Sequence, residues 1–340
     1  MSDAGGTCEY VLDPTEPGTW GGAEGDRCFV DDRQLDGGVW RCPREVTSGE
    51  RLCPLHRPVD RKDDRAAVDA LRRELSGDGS TKHQWFGARF GDLDLSGMAI
   101  QARTVDLSHA RVRGDLSLDD TTLDVGYLSL SGALVTGEST WEDAIVSGYT
   151  VLAGTSVGGP ARFDRATFEA PVDLTAATFG DGVSFAEARF DGECTFNSAI
   201  VGGEAAFSRT TFQDARFNGV KFEDVTFDGA TFGGDIEFEG TRFGGNTTFA
   251  DATVSGLATF TASAFFSDAD FTSITVGDDA RFPRAKFTRS LLLDDARFGS
   301  TLNLNRVEID GDLSVERMQF DGELQCFSTK VAGETSIESL

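Results

Sequence analysis

Six phenylalanines, Phe207, Phe212, Phe217, Phe222, Phe227 and Phe232, stand five residues apart. No strand or helix has that period, because side chains recur every two residues along a strand and about every 3.6 along a helix. A chain that turns a corner every five residues has it, with four short sides closing one square coil. The residue two before each Phe is small or β-branched (Ala215, Val220, Val225, Ala230), so both point inward from one extended segment. The large residue fills the middle of the coil and the small one leaves room for it.

The same rule extends far beyond those six positions. From Ala133 to Ser339 the chain divides into units of eleven residues, such as ALVTGESTWED (133–143) and ATFGGDIEFEG (230–240), with two of ten at 210–219 and 220–229. Back to Ala88 the pattern persists with Leu and Val in place of Phe, giving 23 units. Composition follows from this reuse of one core position: 27 Phe against 3 Tyr and 3 Met. The eleventh residue falls beside a glycine in most units, among them Gly137, Gly148, Gly159, Gly192, Gly245, Gly311 and Gly322. Glycine tolerates positive φ, so a corner carrying one extra, bulge-like residue is expected there. Two units complete a coil, and coils about 4.8 Å apart predict a rod roughly 55 Å long.

This A-x-F pentad resembles the phenylalanine-rich branch of the pentapeptide-repeat family, over about three quarters of the chain. The resemblance implies an all-β fold, a right-handed quadrilateral β-helix. The spacing alternates between five and six, where the plain family form, A-(D/N)-L-x-x, keeps to five.

Stacking at a 22-residue offset puts Thr167, Arg189, Thr211, Thr231, Thr253, Thr275 and Arg297 in one outward column. Threonine suits an exposed strand position, which is the favoured reading, with a recognition surface as the alternative. A second column carries Lys221, Arg242, Lys286 and Lys330, read as intercoil charge pairs. No catalytic constellation is found in the repeat. Its one histidine is His109, Cys194 and Cys326 fall at inward positions, and Asp119–Asp120, Asp278–Asp279 and Asp294–Asp295 read as corner residues. The chain reads as a non-enzyme.

The formal charge of −26, with 26 Arg against five Lys, resembles that of cytoplasmic proteins of salt-accumulating halophiles. It repels nucleic acid, which argues against a nucleic-acid partner. The second reading of the acid is mimicry: some pentapeptide-repeat proteins are acidic, duplex-like rods that bind type II topoisomerases. The start is polar, no apolar run approaches the roughly 20 residues of a membrane span, and a cytoplasmic location follows as the expectation.

Residues 1–58 carry no repeat and four of the six cysteines. Cys28, Cys42, Cys53 and His56 follow one another with thirteen, ten and two residues between them, and three thiolates with an imidazole make a closed zinc shell. Such a shell has no open position for hydrolysis. The turn Asp36-Gly37-Gly38 is expected to link Cys28 to Cys42. Trp40-Arg41-Cys42 with Cys53 and His56 resembles the plant WRC zinc module, whose first gap is nine. On that resemblance Cys28, Cys42, Cys53 and His56 are the ligands of a structural Zn²⁺, with Cys8 able to replace Cys28. WRC modules are linked with DNA, and basic residues concentrate over 41–73; a structural clip or a docking site for a protein is the favoured reading.

Residues 60–76 are expected to form one helix with Ala67, Val68, Leu71 and Leu75 as its apolar stripe. An open coil end exposes core and backbone edge, so this helix, within a capping segment 59–87, is expected to cover the start of the solenoid (88–340) near Phe86 and Phe90. The last coils carry no such device in the sequence, which leads to the expectation of a homodimer joined through them.

Overall fold

The computed structural model of the protein describes residues 6–24, 27–30, 34–77 and 82–337. They fall into two units, Met1–Gly159 and Pro160–Leu340. No helix among the described residues is long and apolar enough to cross a membrane.

In the second unit each coil has four two-residue strands. Thr167–Phe168, Val172–Asp173, Thr178–Phe179 and Val183–Ser184 make one turn, and Arg189 then lies in parallel register on Thr167. Within this unit the inward phenylalanines form four ring columns. Phe163, Phe185, Phe207, Phe227, Phe249 and Phe271 stack at centroid distances of 4.6–5.4 Å. Phe168, Phe190, Phe212 and Phe232 stack at 4.9–5.1 Å. Those distances are the coil spacing itself, about 4.8 Å. Where two ten-residue units follow each other the offset shrinks to 20, Thr211 on Thr231, and Phe212 and Phe232 still stack within 3° of parallel. The extra residue is therefore a corner insertion that the core does not feel.

The corner glycines work differently from the sequence expectation. None of Gly137, Gly148, Gly159, Gly192, Gly245, Gly311 and Gly322 has positive φ. They are needed for closeness: a Cβ on Gly192 would sit 2.5 Å from the Pro171 nitrogen, and one on Gly311 2.6 Å from the Arg289 carbonyl carbon, in the coil beneath. Positive φ belongs to the residue just before the small inward position, and 16 non-glycine residues adopt it among those described, including Arg165, Ala176, Glu187 and Ser273. Each costs about 1 kcal/mol, which the surrounding ladder holds in place.

Acids serve the same stacking. Oδ1 of Asp214, Asp235, Asp268 and Asp279 each accepts a backbone N–H of the next coil at 2.8–3.1 Å. Asp294 does so for Glu316, and Asp119 for Glu142 in the first unit. Thr210 replaces alanine at an inward position and donates its buried hydroxyl to the Phe185 carbonyl at 2.7 Å.

In the first unit the coils differ in one respect: two sides merge into eight-residue strands, Ala99–Asp106 and Thr122–Ser129, paired in register. Parallel pairing begins already at Lys82–Gln84, which lies on Thr104–Asp106. The helix is Asp64–Leu75, shorter at its start than the sequence suggests. A separate 3₁₀ turn, Val59–Arg61, precedes it; Lys62 is extended, and Asp63 caps Ala66 N at 3.0 Å. Lys62 breaks the helix because its ammonium is drawn down over the Phe90 ring and bonds the Arg89 carbonyl. Ala67, Val68, Leu71 and Leu75 are buried, as the stripe required.

Candidate metal centre

A long-range pairing builds the site. Val11–Leu12 runs antiparallel to Trp40–Arg41, with Val11 opposite Arg41. The ladder continues outward: Cys42 N donates to Tyr10 O, Cys8 N to Arg44 O and Val46 N to Gly6 O. Cys8 is thereby set beside Cys42. The Asp36–Val39 turn forms, with φ of 61° and 86° at Gly37 and Gly38, but the strand leaving it pairs with residues 11–12. A tight turn over Cys53–His56 brings the other two groups, His56 N bonding Cys53 O.

Four ligand atoms, from Cys8, Cys42, Cys53 and His56, lie within 4.8 Å of one another, and all four residues are buried. Cys42 and Cys53 sulfurs are 3.8 Å apart; Cys8 Sγ is 3.6 Å and Cys53 Sγ 3.2 Å from His56 Nδ1. A tetrahedron with bonds of about 2.3 Å to sulfur and 2.0 Å to nitrogen has edges of roughly 3.5–3.8 Å, so the set could hold a metal ion. The imidazole is oriented for it. His56 Nε2 lies 2.9 Å from the Phe86 carbonyl and donates there, which turns Nδ1 to the sulfurs. Tyr10 stacks on the ring at 4.0 Å, and Trp40 meets it edge-on.

Within the cluster Cys53 and Cys8 lean toward thiolate and Cys42 toward thiol. The Cys42 thiol's hydrogen bond, against the penalty of burial, lowers Cys53 to about 3, and the same bond pushes Cys42 up. Burial disfavours the His56 imidazolium, yet bonds to Cys53 and Cys8 outweigh it and lift the ring to about 9.

Cys28 stands apart from this cluster. Its sulfur lies 3.3 Å from His109 Nε2, which also accepts Phe29 N at 3.1 Å. Burial raises the Cys28 thiol and, with the Arg111 charge, lowers His109 to about 4, so the pair is a neutral clasp rather than an activated nucleophile. Of the two candidates for the remaining ligand, the structure thus brings Cys8 to Cys42, Cys53 and His56. Tyr10 and the Phe86 carbonyl carry no signal in the sequence that ties them to His56, and Trp40 is tied to it there only through the WRC resemblance.

The module also closes the first coil. Arg89 N donates to Leu55 O at 2.7 Å, Gly91 N to Asp64 Oδ2 at 2.7 Å, and Arg72 Nη1 to Asp94 O at 2.8 Å. Trp40 meets Phe86 edge-to-face at 4.9 Å.

Residues 152–200 and 196–242 match the family model for pentapeptide repeats. Residues 152–242 are pentapeptide repeats. Among solved structures, this chain is similar to that of HetL, a pentapeptide repeat protein involved in heterocyst differentiation regulation from the cyanobacterium Nostoc sp. strain PCC 7120. Identity is 12%, over 78% of this chain and 92% of that one, with a TM-score of 0.22. No curated protein matches the chain.

The outward columns are in register in the second unit. Thr211, Thr231, Thr253 and Thr275 stack in turn. Lys221 lies in register on Arg242, a like charge, and Lys286 in register on Glu308. Lys330 meets Glu308 at 3.3 Å and Lys286 meets Asp310 at 3.7 Å, exposed pairs worth little each. Cys194 is buried as expected; Cys326 is exposed, because nothing covers its coil among the described residues.

Proposed function

We propose that this protein is a non-catalytic, protein-binding scaffold whose first coil is sealed by a zinc-held module. The observation that carries the reading is the single bond from His56 Nε2 to the Phe86 carbonyl, which ties a closed Cys₃His donor set to the first coil. Cys8, Cys42 and Cys53 thiolates and His56 Nδ1 would hold the ion, which would supply structural cohesion and no open coordination position. Their convergence as free thiols fits a reducing, cytoplasmic compartment. Acids engaged as coil-to-coil acceptors favour this reading over a duplex mimic, which needs them as a free, continuous stripe.

The scaffold is tested by crosslinking in the source cells: reproducible links from outward solenoid residues to one protein are expected. Recovery of the purified protein as a catalyst, with no such links, would contradict it. For self-association, Leu324, Phe327 and Ile337 expose apolar surface, which fits a second copy seated on the last coils. Sedimentation across a wide concentration range is expected to show a dimer; a monomer at every concentration, with those coils ordered, would sink that part.

A further inference from the structure

A cleft of about 290 Å³ in the first unit is lined by Arg89, Arg111 and Arg113, with Pro58, Val59 and Leu134 as its apolar walls. Arg89 and Arg111 are register partners on adjacent strands, so their side chains leave the same face one coil apart. Arg113, in the bend that follows the Arg111–Val112 strand, lines the same cleft. The protein carries 57 acids, yet among the described residues none of these three guanidinium groups forms an ion pair. The acids nearby in the chain are committed elsewhere. Asp64 bonds Gly91 N and sits 3.0 Å from the buried Lys62 ammonium, and Asp92 Oδ1 accepts Asp115 N. Arg111 also donates to the Gly21 carbonyl, which fixes its guanidinium at the cleft. Three guanidinium groups gathered with no counter-charge among the described residues make a local positive patch in a chain of net charge −26, the setting that draws in an anion.

We propose that this cleft binds a small phosphate-bearing anion. Guanidinium forks match tetrahedral oxyanions two oxygens at a time, and three of them suit a dianion better than a carboxylate. The apolar walls leave space for a small organic group on the phosphate.

The test is calorimetric titration of the full chain with inorganic phosphate, glycerol phosphate and acetate at matched ionic strength. Both phosphates bind, acetate binds more weakly, and Arg113→Gln weakens phosphate at least roughly tenfold. Arg89→Gln acts in the same direction. Arg113 is exposed and makes no side-chain bond among the described residues, so an unchanged melting temperature and metal content show that this variant is folded. Absence of phosphate binding, equal binding by Arg113→Gln, or acetate binding as tightly as phosphate would each overturn the proposal.

Discussion

Phe86 and Phe90, in the first coil, are fully buried, whereas Phe327 and Ile337, in the last described coil, are 72% and 60% exposed. Both coils obey the same packing rule, and among the described residues only the first is covered. A repeat can specify every interior coil, because each coil is the next one's lid. It cannot specify its own end, where the edge groups and the inward rings need a partner of another kind. At the start that partner is a non-repeating segment, whose own interior is a knot of three sulfurs and an imidazole. The difference teaches that this chain uses two kinds of cohesion: many equivalent ring stacks in the coils, and one concentrated donor cluster in the module.

The largest effect expected from breaking that contrast is at the cluster. Cys53→Ala removes a ligand and should unfold the module, since structural zinc contributes on the order of 10 kcal/mol in small domains. Hydrogen exchange should then show residues 6–58 and the Phe86–Asp94 edge losing protection while residues 163–298 keep theirs. Next comes Phe217→Ala, which removes a ring in contact with Phe196, Phe207, Phe227 and Phe238. It should cost about 3–5 kcal/mol by denaturant unfolding, against less than about 1 kcal/mol for the half-buried Phe320→Ala in the last described coil.

Glycines sharpen the comparison within the coils. Gly192→Ala places a methyl against the Pro171 backbone and should cost about 2 kcal/mol. Ser273→Gly, at a φ of 59°, relieves a left-handed residue while loosening the unfolded chain, and should stay within about 1 kcal/mol of zero.

The remaining effect is one of pH. Asp106 is fully buried, and burial raises it from 3.8 to about 6 despite its bonds from Ser108 and Gln34. The folded chain holds that proton more tightly, so the contribution is complete below 3.8 and fades as pH rises through 6. Unfolding midpoints of the wild type should fall across that window relative to Asp106→Asn, which removes the titration.

The coils were legible in the sequence because the signal recurs: one inward Phe every five residues predicts both the four-sided turn and the vertical columns. What was misread there was the reason for a residue rather than its place. Gly192 and Gly311 sit at corners as expected, but close approach of coils selects them, and a single sequence shows a glycine without showing what its missing Cβ would strike. The module was legible only in part. Cys53 and His56 are close in sequence and one turn unites them, whereas Cys8 reaches Cys42 across a 33-residue gap through an antiparallel ladder. Cys28 offered shorter spacing, and spacing was the only guide. The N-terminal end of the helix was missed for a related reason, since Lys62 is extended by a contact with Phe90 that no local pattern encodes.

The most direct measurement is metal content per chain for the wild type, Cys8→Ala and Cys28→Ala, by plasma mass spectrometry. The account predicts one equivalent of zinc in the wild type and in Cys28→Ala, and none in Cys8→Ala. No metal in the wild type, or metal kept by Cys8→Ala and lost by Cys28→Ala, would contradict it.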